Sequence, residues 1–285
     1  MHDLIRSMPV AAVINRKGGS GKSTLATHLA GYCANTGLRV MLGDVDRQQS
    51  SLAWLRRRAA QPLARSAPIV GWAVDTRSVL RPPAGITHVV LDTPGALRGL
   101  ELARVVMNAD LILMPVCSSA FDRESALECF AELMTLPRVA SGRCKIALIG
   151  MRLDARTNAA AMLEAWAAKH KLPYIGALRE TQAYVRSVEQ GLTLFDLPAA
   201  KVQTDLAQWQ AIIEWVEAAW QPVEDASNAP KGTATAATHV PLPAAGRAVS
   251  SAREQLVALE APRKDLRTSI ADHFGRLFTV FRSSN

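Results

Sequence analysis

The chain has 285 residues, of which 49% are apolar and 20% charged, with a formal charge of +8 at pH 7. That composition excludes a disordered or fibrous chain, and the length suits one α/β domain of about 220 residues with an appended tail, or two domains. The positive balance directs attention to polyanionic partners, nucleic acid or an anionic membrane surface.

Short apolar runs alternate with longer helical patterns, the sequence sign of βαβ units and a mostly parallel, doubly wound sheet covered on both faces. The first strand is expected over Val10 to Ile14 and the first helix over Lys22 to Asn35, with Leu25, Leu29 and Cys33 on one stripe and Gly37 placed to end it. A second strand fits Arg39 to Gly43, followed by a helix around Ser51 to Ala59, a weak strand at Ile69 to Val74 and a buried one at His88 to Leu91. Helices then fit Leu97 to Asn108 and Glu124 to Leu136, with strands at Leu111 to Val116 and Ile146 to Met151. Asn158 to His170, Thr181 to Gln190 and Ala199 to Trp220 read as helices, and Tyr174 to Ala177 as a short strand. The composition shifts to Pro, Ala, Thr, Ser, Asn and Gly over 221–251, which reads as a flexible linker after a folded unit spanning 1–220. In 252–285, Leu266, Ile270, Phe274, Leu277, Phe278 and Phe281 recur at helical spacing among arginines, so an amphipathic tail helix is expected.

The stretch Lys17-Gly18-Gly19-Ser20-Gly21-Lys22-Ser23-Thr24 lies where a strand should turn into a helix, the context a phosphate-binding loop requires. Glycines let backbone N–H groups converge on phosphate oxygens without Cβ interference, and the positive end of the following helix adds to the attraction. Lys22 is placed to neutralise the β- and γ-phosphates of ATP, the Ser23 hydroxyl to ligate Mg²⁺, and Thr24 to reach the α-phosphate. Arg16 stands where the strict G-x-x-x-x-G-K-[ST] pattern needs glycine, and a second lysine, Lys17, enters the loop.

This K-G-G-x-G-K-[ST] form resembles the deviant Walker A loop of the ParA/MinD family of partition and positioning ATPases. Gly43-Asp44-Val45-Asp46-Arg47-Gln48-Gln49-Ser50 is similar to that family's D-x-D-x-Q segment, although Arg47 replaces its usual proline. Val89-Val90-Leu91-Asp92-Thr93-Pro94-Gly95 resembles its Walker B and switch II, and Thr181 to Ser187 followed by Phe195 resembles the small, ParF-like branch. The run Asn15 to His28 with the D-x-D segment is similar to the carboxysome-positioning McdA group. The resemblance covers about residues 9 to 220. It implies a P-loop fold, ATP hydrolysis with Mg²⁺, and an ATP-dependent sandwich homodimer. Lys17 would reach the partner's nucleotide, Lys22 would stay in its own site, Asp44 and Asp92 would hold Mg²⁺ through water, and Asp46 would orient the attacking water. A ParB-like or cargo-adaptor protein that stimulates hydrolysis is the implied partner.

The same resemblance implies ATP-dependent binding to nonspecific DNA, and Arg152, Arg156, Arg179 and Arg186 are candidates for it, with Arg56-Arg57-Arg58 and Lys201 as further basic residues. Trp54 and Tyr184 read as packing residues, because no free-standing aromatic cluster accompanies them. No apolar run approaches the length of about 18 residues that a membrane span needs, and Met1 to Arg6 lacks a signal-peptide core, so a cytoplasmic, nucleoid-associated protein is expected. Asp265 and Asp272 among the tail arginines weaken a membrane role for that helix and favour protein docking. A membrane-associated MinD-like ATPase rests on the tail alone. The alternative from another class is a P-loop metabolic enzyme, a dethiobiotin-synthetase-like ligase or a nitrogenase-iron-protein-like reductase. The reductase would need cysteines that bridge a dimer, yet Cys33, Cys117, Cys129 and Cys144 are widely spaced and Cys117 has no evident second partner.

Overall fold

The computed structural model describes residues 8–75 and 82–221. The linker over 221–251, except Gln221, and the tail helix over 252–285 lie outside the described residues. Seven strands are described: β1 (Val10–Val13), β2 (Val40–Asp44), β3 (Ile69–Ala73), β4 (His88–Asp92), β5 (Leu111–Val116), β6 (Lys145–Leu153) and β7 (Tyr174–Arg179). They form one sheet in the order β3-β2-β4-β1-β5-β6-β7, and every pairing is parallel. The helices between them are α1 (Lys22–Asn35), α2 (Ser50–Ala59), α3 (Gly99–Asn108), α4 (Ala120–Thr135), α5 (Pro137–Ala140), α6 (Ala159–Lys169), α7 (Gln182–Glu189) and α8 (Ala199–Trp220).

A parallel strand must be covered on both faces, which is why β1, β2 and β5 are apolar and buried throughout. On β1, Val10 and Ala12, with Ile14 beyond it, join the cluster made with Leu102, Val105, Cys129 and Leu133 of α3 and α4. By alternation Ala11 and Val13 face the opposite side, where α1 packs on β1, β2 and β4 and α8 packs on β5 and β7. The weakness of the Ile69 pattern has a topological cause, since β3 is an edge strand and Val70, Gly71 and Ala73 are exposed.

Three elements differ from the sequence reading. Helix α4 starts four residues earlier than expected, because the Ser119 side chain caps it by accepting from Asp122 N–H. Strand β6 runs on to Leu153, and a short α5 with Pro137 in its first turn follows α4. Register fixes the functional end of the sheet. Asp44 pairs with Asp92 across β2 and β4, and Val13 pairs with Asp92 across β1 and β4. The two carboxylates and the start of the glycine-rich loop are thereby brought together at the carboxyl ends of the central strands, where α/β sheets bind ligands.

Candidate nucleotide site

The loop between β1 and α1 is fixed at its root. Ile14 N–H donates to Leu113 O at 3.0 Å, and the buried Asn15 donates from Nδ2 to Pro115 O at 2.6 Å while its Oδ1 accepts Lys17 N–H at 3.0 Å. Gly19 and Gly21 adopt φ of +76° and +92°, and a Cβ at Gly21 would lie 2.7 Å from Met151 Cε. Only glycine meets both conditions at position 21 without strain. Helix α1 then begins at Lys22 with its free N–H groups facing the loop, an arrangement that favours an anion.

Lys22 is buried, and its Nζ donates to Lys17 O at 3.0 Å. Burial lowers its pKa, against the opposing pull of Asp92 and Asp46. Asp92 is 1% exposed, and its pKa is pushed up to about 6, chiefly by burial and against hydrogen bonds from Ser51 and Ser23. Ser51 Oγ donates to Asp92 Oδ2 at 2.5 Å, while Asp92 Oδ1 and Ser20 Oγ are buried without a partner among the described residues. Buried polar atoms left in this way suit a cation and a phosphate that would satisfy them. No group of three or more histidine, cysteine or carboxylate side chains converges among the described residues, so a metal here would draw most ligands from phosphate and water, as Mg²⁺ does.

The other two aspartates are placed differently. Asp44 accepts Asp46 N–H at 3.0 Å on Oδ1, and the N–H groups of Ser51 and Leu52 at 2.9 and 3.1 Å on Oδ2. It thus ties down the entry to α2, using most of the lone pairs that the sequence reading assigned to a metal-bound water. Asp46 is half-buried at the cavity wall, and its Oδ1 accepts Gln48 N–H at 3.0 Å. Switch II closes the site from the β4 side. Thr93 Oγ1 donates to Val13 O at 2.7 Å, and Ala96 N–H donates to Arg16 O at 2.6 Å. A cavity of about 770 Å³ lies between these segments, bounded by Gly18, Lys22, Thr24, Asp46, Met151 and Tyr184 among others.

Lys17 points away from Lys22, with Nζ 2.7 Å from Asp122 Oδ1 on α4. The hydrogen bonds from Lys17 and Ser119 outweigh the burial of Asp122 and hold its carboxyl below the usual range. Arg16 reaches the same helix, pairing with Glu132 and Glu128. Ser51, Asp122 and Glu132 were not singled out by sequence. Ser51 sits seven residues past Asp44 at the start of a helix, a position that only capping logic would flag. The Ser119-x-x-Asp122 cap was legible, but its lysine partner was not.

The arginines divide into paired and free. Arg179 forks onto the buried Asp205 at 2.6 and 3.1 Å, so its charge is neutralised within the fold, which corrects its reading as a surface DNA contact. Arg58 is 2% exposed and bound to Asp196 at 2.7 and 3.1 Å, so the Arg56-Arg57-Arg58 run contributes two surface charges and one internal tie. Arg152, at φ +55°, borders the cavity and pairs with Glu180 at 3.0 Å, and Arg156 pairs with Asp154 at 2.9 Å. Arg186 is exposed on α7. Trp54 and Tyr184 are both buried, as packing residues should be.

A parallel sheet with a glycine-rich loop after its central strand, two loop lysines and facing aspartates defines a P-loop nucleotide-binding protein. The family model described as the CobQ/CobB/MinD/ParA nucleotide binding domain matches residues 11–194, and the chain belongs to that family. It is 29% identical over 220 residues to the maintenance of carboxysome distribution protein A of Gloeobacter kilaueensis, covering 74% of this chain and 95% of that protein. It is 31% identical over 193 residues to the chromosome-partitioning ATPase Soj of Thermus thermophilus, covering 56% of this chain and 75% of that protein. Among solved structures, apo McdA of Cyanothece matches with a TM-score of 0.56 at 16% identity, covering 72% of this chain and 99% of that one. The cell division protein MinD of Aquifex aeolicus matches with a TM-score of 0.55 at 17% identity, covering 74% and 95%. At these identities the structural matches show a shared fold. No described helix is long and apolar enough to cross a membrane.

Proposed function

We propose that the chain is an ATP-driven switch that positions or partitions a cargo. In the ATP state two copies form a sandwich dimer on nonspecific DNA of the nucleoid, and an adaptor of the ParB kind stimulates hydrolysis and releases the chains. The observation that carries this reading is the placement of the two loop lysines. Lys22 is buried against its own loop, whereas Lys17 stands 37% exposed at the rim, held only by a surface carboxylate and free to serve a nucleotide outside its own cavity. Lys22, the loop N–H groups of residues 17–24 and the start of α1 would hold the phosphates of ATP. Ser23 and the open oxygen of Asp92 would hold Mg²⁺, which when bound neutralises triphosphate charge. Asp44 would act mainly by fixing the loop that carries Asp46, and Asp46 would orient the attacking water.

Residues 1–220 would form the ATPase, 221–251 a linker and 252–285 a docking helix. The carboxysome-distribution and chromosome-partitioning relatives support a protein organelle, a plasmid or a chromosome as cargo in the cytoplasm. Sedimentation of the purified chain with Mg²⁺ and a slowly hydrolysed ATP analogue should show a dimer, and with ADP a monomer. A monomer under both nucleotides overturns the switch.

A further inference from the structure

Between Asp46 and Asp75 the sequence holds five arginines, Arg47, Arg56, Arg57, Arg58 and Arg65, and no acidic residue. Arg58 is spent internally on Asp196, while the other four are exposed. Arg56 and Arg57 occupy the last turn of α2, and Arg65 ends the short 3-10 turn Pro62–Arg65 that follows it. The exit of α7 lies directly on this turn. A Cβ at Gly191 would be 2.3 Å from Arg58 N and 2.6 Å from the carbonyl carbon of Arg57, and Gln61 Nε2 donates to Gln190 O at 2.8 Å. Arg186 sits on the exposed side of α7, five residues before Gly191, which places its backbone about 7 Å from that contact at 1.5 Å per residue. Glu189 is the only acid on α7, and α2 has none.

We infer that the DNA surface is this strip of Arg56, Arg57, Arg65 and Arg186. Of the candidates in the C-terminal third, Arg152, Arg156 and Arg179 each face a carboxylate, so they add little net positive charge to a polyanion. The four strip residues face no carboxylate in any described contact. Phosphate recognition of this kind needs uncompensated cations spread over a surface and no base-reading geometry. The inference rests on the DNA reading proposed above and assigns it a face.

The test uses the full chain with Mg²⁺ and a slowly hydrolysed ATP analogue, a fluorescent random-sequence duplex, and vesicles containing anionic phospholipid. The variants are Arg56→Glu/Arg57→Glu, Arg56→Lys/Arg57→Lys and Arg156→Glu. The glutamate pair should lose at least about tenfold in duplex affinity at low salt, and an alanine pair should lower the salt slope by about 1.8 per protomer, at about 0.9 per phosphate contact. The lysine pair should bind like wild type, because a phosphate contact needs charge and not a fork. Unchanged thermal melting and unchanged ATP binding in the glutamate pair, whose side chains are exposed, would show that the loss is not one of folding. Arg156→Glu should bind nearly normally. Full affinity in the glutamate pair, with loss in Arg156→Glu, overturns the assignment and leaves DNA binding standing. Absence of duplex binding by wild type overturns both, and a glutamate pair that loses only vesicle binding makes the strip a membrane surface instead.

Discussion

Lys17 cannot hold Asp122 and reach a partner's nucleotide at once, so Asp122→Asn should strengthen the ATP dimer. The ion pair is 2.7 Å long between a side chain 37% exposed and one 13% exposed, which places it near the surface. Such pairs are worth about 0.5–1 kcal/mol. Two copies must be broken in a symmetric dimer, so removing both should favour association by about 1–2 kcal/mol, or roughly 5- to 30-fold in the dissociation constant. Asparagine keeps the shape of the side chain and leaves Ser119 as the cap of α4, so helix stability should change little. Light scattering or sedimentation equilibrium with a slowly hydrolysed ATP analogue reads the effect, with Lys17→Ala as the opposite control, expected to weaken the dimer far more than nucleotide binding by the monomer. A weaker dimer in Asp122→Asn would show that Lys17 works from its Asp122-bound position and would refute the trans role.

Three further outcomes follow from the site. Lys22→Ala should abolish nucleotide binding by removing the principal counter-charge of the loop, and wild-type affinity in a fluorescent-nucleotide titration would refute the assignment. Asp46→Ala should keep ATP binding and dimerisation while slowing hydrolysis about a hundredfold, since it removes orientation of the water; a normal phosphate-release rate would place that task elsewhere. Asp92 has a folded pKa raised to about 6, so the nucleotide-free fold binds an extra proton there, and its contribution to stability falls as pH rises from about 4 to about 6. Because Mg²⁺ requires the ionised carboxylate, apparent Mg²⁺ affinity in the presence of ADP should rise through pH 6 and then level off, and a flat profile between pH 5 and 7 would exclude Asp92 from the metal site.

The sequence by itself determined the elements and the loop. Helix α1 over Lys22–Asn35, strand β5 over Leu111–Val116 and helix α8 over Ala199–Trp220 fall where periodicity placed them, because their signals are local. The glycine-rich loop was legible for the same reason, since left-handed backbone at Gly19 and Gly21 is a property of the residues themselves. Edge strands and caps were less clear: β3 has little apolar pattern because one side of it meets no further strand. Tertiary structure decided which charges are free. Arg56, Arg57 and Arg58 are adjacent and identical in type, yet only Arg58 turns inward to Asp196, 138 residues away. Arg179 meets Asp205, and Lys17 meets Asp122, through chain reversals that no spacing encodes. Asp44 and Asp92 are 48 residues apart in sequence and neighbours only through the β2–β4 register. A carboxylate's role depends on what donates to it, and those donors were assembled by the sheet order: backbone N–H groups of α2 for Asp44, and the Ser51 hydroxyl for Asp92, which leaves one oxygen open.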